Sequence, residues 1–249
     1  MEANNQKMNI VEIRELSKIY ENGNVVNALD KVNLDIEEGK FCAILGTSGC
    51  GKSTLLHILG GMDYATEGMV KYQDKYGSVD ITQLGSEELT LFRRKHIGFI
   101  FQKYNLLPIL TTYENVIFSL QLDSREVDTK LVEQVMKKLN IWEKKDFYPN
   151  QLSGGQQQRV AIARAIVMKP ALILADEPTG NLDKENSRQV IDMLREAVDN
   201  FQQTVVMVTH DEEQAKSCDV IIRLEDGKIK SIMGRAMKKS MEYKVQNAF

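Results

Sequence analysis

The sequence predicts an α/β fold: a parallel sheet covered by helices on both faces, with an antiparallel β subdomain near the N-terminus and an inserted helical subdomain. Three observations carry this. Residues 41–45 (FCAIL), 97–101 (IGFIF), 171–175 (ALILA) and 204–208 (TVVMV) are unbroken apolar runs, as strands of a doubly covered parallel sheet are. Residues 9–16 and 30–36 alternate apolar and polar side chains, the pattern of antiparallel strands with one solvated face. The stretch 111–168 has helical periodicity and no strong strand pattern.

Each element follows in chain order. An apolar helix is predicted from 55–59, directly after the first apolar strand. Thr111 and Glu114 form a capping-box pattern that opens a helix after Leu106, Leu107 and Pro108. A second helix fits 128–140 and a third 154–168. Over 184–200, Val190, Ile191, Leu194 and Val198 recur on one helix face. Lys238 and Lys239 follow the last strand pattern and read as a solvated end helix.

Composition narrows the class without assigning a task. The 249 residues carry 32 basic and 35 acidic side chains, a net charge of -3, which disfavours a nucleic-acid partner. No apolar run approaches the roughly 18 residues of a membrane span, and the polar residues 1–6 do not resemble a secretion leader. Cys42, Cys50 and Cys218 lie far apart, without the spacing of a zinc site or disulfide framework. Cys42 and Cys218 therefore read as buried thiols. His57 and His96 match no motif and read as structural.

The chemistry begins at residues 46–54. Gly46, Thr47, Ser48, Gly49, Cys50, Gly51, Lys52, Ser53 and Thr54 stand between a strand and a helix as G-x-x-x-x-G-K-S, the context of a phosphate-binding loop. Glycines let backbone N–H groups approach the phosphates, and the helix start adds partial positive charge. Lys52 supplies a full charge, and the Ser53 hydroxyl is a hard oxygen suited to Mg²⁺. The apolar run 171–175 ends in Asp176 and Glu177. Two acids at the end of a buried strand are costly unless a cation sits there. Asp176 fits the role of holding Mg²⁺, and Glu177 that of polarising a water aimed at the γ-phosphate. Cys50, beside Lys52, admits two readings: alkylation that blocks nucleotide binding, or a thiol of low reactivity.

A second helix start is unusual. Leu152, Ser153, Gly154, Gly155 and Gln156 enter a helix, and Ser153 with Gln156 reads as an ordinary capping box. Glycine costs about 1 kcal/mol inside a helix relative to alanine. The pair makes sense if something must approach the backbone closely, and bare N–H groups at a helix start attract anions. One explanation is that this site completes the nucleotide pocket of another copy.

With these motifs the chain resembles the ATP-binding cassette (ABC) ATPases over about residues 8–232. The resemblance implies a P-loop NTPase (RecA-like) core over 1–102 and 165–232, a helical subdomain over 103–164 and a C-terminal tail over 233–249. It implies ATP and Mg²⁺ as ligands. Tyr20, after the first strand, matches the aromatic residue that stacks on adenine, with Val26 as a flank. Gln102 matches the Q-loop, Asp183 the acid of the D-loop, and His210 the switch histidine. Catalytic roles then fall to Glu177, His210 and Gln102, and metal-binding roles to Ser53, Gln102 and Asp176. The family implies a head-to-tail dimer of two copies, each pocket taking Leu152, Ser153, Gly154, Gly155 and Gln156 from the partner.

Residues 93–108 together with 111–116 are similar to ATPases of the macrolide-exporter, lipoprotein-release and antimicrobial-peptide-resistance type. The cell-division ABC ATPase belongs to the same broad group. That resemblance implies a separate transmembrane permease with a large extracytoplasmic domain, and a location on the cytoplasmic face of the membrane. The expected function is ATP-driven export or extrusion of peptides, lipoproteins or drugs; the alternative is mechanical signalling without a transported substrate. Phe101, Tyr104, Leu106 and Leu107 read either as a groove for a helix of the permease or as core of the helical subdomain.

Overall fold

A computed structural model of the chain describes residues 8–74, 77–123 and 125–234. The expected end helix at Lys238 and Lys239 lies outside the described residues.

The N-terminal strands are longer than their alternation indicates. Strands β1 (Asn9–Asn22) and β2 (Asn24–Glu37) form one extended antiparallel hairpin. Register shifts between Ile13 and Ile19 interrupt the two-residue period, so the pattern fades before the strands end. Gly23 makes the turn at φ 87°, where a side chain would be strained. Tyr20 consequently lies inside the first strand, opposite Val26, rather than after it.

Strand β3 (Phe41–Leu45) leads through the glycine-rich loop into helix α1 (Lys52–Leu59). Strands β4 (Glu67–Asp74) and β5 (Gly77–Asp80) complete a four-stranded sheet of order β2-β1-β4-β5. Helix α2 (Ser86–His96) precedes strand β6 (Ile97–Ile100). Helices α3 (Thr112–Leu122), α4 (Thr129–Lys138) and α5 (Gly154–Val167) follow, close to the three predicted. Thr111 and Glu114 make both bonds of the expected capping box. Strand β7 (Leu172–Asp176), helix α6 (Lys184–Phe201), strand β8 (Val205–Thr209), the short helix α7 (Glu212–Ala215) and strands β9 (Val220–Glu225) and β10 (Lys228–Gly234) complete the fold.

The second sheet has the order β10-β9-β3-β8-β7-β6. Strands β6, β7, β8, β3 and β9 run parallel, and β10 is antiparallel at the edge. Its two faces feed different apolar clusters, which explains the unbroken apolar runs. Phe41, Ala43, Ile173 and Met207 join residues of α3, α4, α5 and α6 in one cluster. Cys42, Ile44, Leu174 and Val206 join Leu55 and Leu59 of α1 and Val11, Ile13 and Val70 of the four-stranded sheet in the other. Leu194 on α6 is fully buried; truncating such a residue to alanine costs about 2–5 kcal/mol.

Neighbouring strands β3, β8 and β7 are parallel, so the loops leaving their C-terminal ends converge. Open α/β sheets bind ligands at that end. Residues 46–51, Glu177 and His210 are all carried there.

Candidate functional site

The loop after β3 is shaped by glycine at two levels. Gly49 and Gly51 take φ of 80° and 102°, in the left-handed region. A Cβ on Gly46 would meet the Leu224 carbonyl oxygen at 2.3 Å, and one on Gly51 the Ala28 carbonyl oxygen at 2.2 Å. The loop is thus packed tightly against the chain behind it. No side chain caps α1 and no acid stands in its first turn. Its leading N–H groups are left for an incoming anion. Lys52 is buried and donates to the Thr47 carbonyl at 2.6 Å, curling back over its own loop.

Opposite it, the Ser53 hydroxyl donates to Asp176 Oδ1 at 3.1 Å. Two hard oxygens from different elements therefore sit together, a donor set that fits Mg²⁺. His57, which matches no motif, is also placed here, with Nε2 3.6 Å from Asp176 Oδ2. The Asp176 carboxylate beside it holds the imidazole above its usual pKa. That contact arises because His57 lies on α1 one turn beyond Ser53, on the side facing β7.

Glu177 follows Asp176 with φ 42°, a rare conformation for a non-glycine residue. The turn brings its Oε1 3.4 Å from Nδ1 of His210, whose side chain is otherwise exposed. Glu177 and His210, from separate strand ends, thus become partners. A cleft of about 870 Å³ opens beside them, lined also by Thr179, Gly180 and Gln214. Gln214 accepts from the hydroxyls of Thr179 and Thr209, linking the segment after β7 to that after β8.

Gln102 is held by the same segment. Its carbonyl accepts from Asn181 Nδ2 at 3.0 Å, and a Cβ on Gly180 would meet its Nε2 at 2.5 Å. Asp183 caps α6 by accepting from the N–H and side-chain amide of Asn186. The Asn186 N–H bond foremost holds that carboxyl below its ordinary pKa.

The glycine pair stands at the start of α5, inside the expected capping box. Ser153 and Gln156 close both bonds of the capping box, at 3.3 and 2.9 Å. The groups that crowd the glycines belong to this chain. A Cβ on Gly154 would meet the Tyr104 hydroxyl at 2.9 Å, and one on Gly155 the Asn186 Oδ1 at 2.7 Å. Leu152 and Gly155 are buried while Ser153 is exposed. The hydrogen bonds of Ser153 and Gln156 stay within this helix start, so the chain does not by itself bring 152–156 to the loop at 46–54.

Of the four groove candidates, Leu106 packs against the core cluster and Phe101 stacks on Phe99 at 4.4 Å between ring centroids. Leu107 is tied to Asn115 through its N–H and carbonyl. Ile109, not singled out by sequence, is the most exposed apolar side chain near them, at 81%.

Tyr20 sits at the edge of the phosphate loop. Its hydroxyl donates to Asp63 Oδ2 at 2.6 Å, with the Thr54 hydroxyl close by. All three cysteines are buried and none is in a disulfide. Among the described residues no helix is long and apolar enough to cross a membrane.

Comparison with known proteins places this geometry among relatives. A family model described as ABC transporter matches residues 29–180. The chain is 40% identical to the bacitracin export ATP-binding protein of Halalkalibacterium halodurans, over 89% of this chain and 87% of that one. It is 43% identical to the macrolide export ATP-binding/permease protein of Mannheimia succiniciproducens, over 89% of this chain but 34% of that longer protein. Among solved structures, a dimeric ATP-binding cassette in a post-hydrolysis state, bound to ADP and Pi, superposes with a TM-score of 0.79. That match has 39% identity and covers 90% of this chain and 98% of the other.

Proposed function

The chain belongs to the ABC transporter family as an ATP-hydrolysing subunit, and on that premise we propose that it drives a separate membrane permease which extrudes peptides or drugs. The observation that carries the chemistry is the meeting of Ser53 with Asp176 and of Glu177 with His210 at the ends of adjacent strands.

ATP phosphates settle on the uncapped start of α1, and Lys52 exchanges the Thr47 carbonyl for the β- and γ-phosphates. Ser53 and Asp176, with Gln102, would hold Mg²⁺, which would supply neutralising charge to those phosphates. Glu177 accepts a proton from the attacking water, and His210 steadies the γ-phosphate beside it. Tyr20 offers its ring to the adenine.

The pocket closes in a head-to-tail pair. Leu152, Ser153, Gly154, Gly155 and Gln156 of a second copy cover the nucleotide, with Asp183 beside the seam. The similarity to a protein named as both ATP-binding and permease supports a membrane partner here, and that to a bacitracin export ATP-binding protein supports a peptide antibiotic as substrate class. The groove around Tyr104, Leu107 and Ile109 receives a cytoplasmic helix of the permease, which keeps this subunit on the inner membrane face. That permease carries a large extracytoplasmic domain.

Expression in an antibiotic-sensitive host, together with the membrane protein encoded beside it, tests the proposal. Resistance to a peptide antibiotic that disappears with Glu177→Gln supports extrusion. Permease-stimulated ATPase without resistance or transport favours mechanical signalling instead.

A further inference from the structure

The structure points to Lys18 and Asp63 as positioning residues for the nucleobase: we infer that they lock the Tyr20 ring in place beside the phosphate loop. This rests on the reading of Tyr20 as the adenine platform.

A tyrosine near the tip of a hairpin would ordinarily be a poor platform. Its ring can swing, and binding must then freeze those rotamers. Here the ring is held at its hydroxyl and over one face. The Tyr20 hydroxyl donates to Asp63 Oδ2 at 2.6 Å. Lys18 Nζ donates to Asp63 Oδ1 and to the Tyr64 carbonyl, each at 2.7 Å. The same ammonium lies 4.7 Å from the centre of the Tyr20 ring, within the range of a cation–π contact.

The arrangement spans three separate pieces of chain. Lys18 and Tyr20 are two residues apart on β1, and the ammonium of the first lies over the ring of the second. Asp63 follows α1, the helix that the phosphate loop opens. The Thr54 hydroxyl, on that helix's first turn, lies close to the Tyr20 hydroxyl. The ring is therefore anchored to the segment that follows α1, and its place is set before any nucleotide arrives.

The carboxylate is built to hold this role. Burial alone would push the Asp63 pKa up, but hydrogen bonds from Lys18, Tyr20 and the Tyr64 N–H outweigh it and bring it below the ordinary value. Asp63 stays ionised, and the Tyr20 hydroxyl, raised by burial and by Asp63, stays protonated as a donor. The side chains of Lys18 and Asp63 are 12% and 27% exposed, so solvent screens the pair less than a surface bridge. The Lys18 ammonium sits over one face of the ring.

Tyr20→Phe keeps the stacking ring and removes its anchor, and Asp63→Asn removes the charge at the other end of the same bond. ATP affinity of the full chain is measured for both, for the double variant and for Tyr20→Ala, with inorganic tripolyphosphate as a ligand that has phosphates and no base. Each single brace variant is expected to weaken ATP about fivefold, with tripolyphosphate unchanged. The double variant is expected to be no weaker than Asp63→Asn alone, which already removes the carboxylate that Tyr20 and Lys18 share. Tyr20→Ala is expected to weaken ATP roughly 20-fold. If Tyr20→Ala weakens ATP while Tyr20→Phe and Asp63→Asn bind as wild type, the positioning role is overturned and the platform survives. If Tyr20→Ala itself binds as wild type, the platform reading falls. Equal losses for ATP and tripolyphosphate in the brace variants would make the pair structural and overturn the inference.

Discussion

Arg164 donates from Nη1 to the Asn105 carbonyl at 2.7 Å, and its second nitrogen reaches the Tyr104 carbonyl at 3.1 Å. Arg164 lies on the helix that opens with Gly154, while Asn105 closes the segment that begins at Gln102. The other end of that segment is held by Asn181. Residues 102–105 are therefore pinned between α5 and the turn after β7. Burial lowers the Arg164 pKa, and a guanidinium keeps its charge in proteins. Replacing it with methionine strips two carbonyls of a charged donor, and a stability loss of about 3 kcal/mol is expected. Urea unfolding of Arg164→Met measures that loss, and a midpoint equal to wild type would contradict the clasp.

Glu177→Gln tests the proton acceptor. The amide keeps the shape of the turn at φ 42° and loses the basic oxygen that faces His210. ATP binding should persist while steady turnover falls at least about 100-fold. Isothermal binding and phosphate release measure the two quantities separately. Near-normal turnover would remove Glu177 from the role of base.

Much of this site is legible before folding because its chemistry is local. Residues 46–54 act as one loop, and the capping boxes at Thr111 and Ser153 are three-residue relationships that the structure reproduces. The parallel strands are readable because both faces are covered, which leaves no polar positions to confuse the pattern. What is hidden depends on distant approach. His57 carries no motif, and only the packing of α1 on β7 brings it to Asp176. The Lys18–Asp63 pair joins residues 45 apart in sequence. Register shifts blur the long hairpin, so its outer half, with Tyr20, escapes the alternation. The glycine pair shows a subtler gap: close approach is legible in the sequence, but not that Tyr104 and Asn186 make it.

Cys50 is a case where burial decides between two readings. It is 5% exposed, and its Sγ packs so close to Gly46 that a Cβ there would meet it at 2.6 Å. Alkylation needs the loop to open first. Modification by N-ethylmaleimide is expected to be at least about tenfold slower than for a free thiol, and saturating ATP should slow it further. Mass spectrometry of the intact chain over time measures both rates.

Gly155→Ala separates capping from catalysis at α5. The added methyl meets Asn186 Oδ1 at 2.7 Å, and Asn186 is bonded to Asp183. Alanine recovers up to about 1 kcal/mol of helix propensity, which offsets much of the crowding if the Asn186 amide turns aside. The unfolding free energy should therefore stay within about 1 kcal/mol of wild type. ATPase activity should nonetheless collapse, because the methyl displaces Asn186 and with it Asp183, the acid placed beside the seam. Full activity in a folded Gly155→Ala variant would sink the role of this helix start in the shared pocket.

Asp219 gives the fold a defined acid limit. It accepts from the Phe41 N–H and from Arg195 Nη1, both at 2.9 Å, and so ties β3 to α6 ahead of β9. Burial works to raise its pKa, but the Phe41 N–H and the Arg195 guanidinium prevail and bring it below the ordinary value. A carboxyl with a depressed folded pKa stabilises the protein fully above its unfolded value, near 3.9. That contribution is lost as pH falls through the folded value. Asp219→Asn should cost about 2 kcal/mol at pH 7. The gap between wild type and variant should narrow steadily below about pH 4, where the wild-type carboxyl takes up its proton. Urea unfolding of both proteins from pH 7 to pH 3 measures that gap, and a constant difference across the range would show that the charge of Asp219 plays no part.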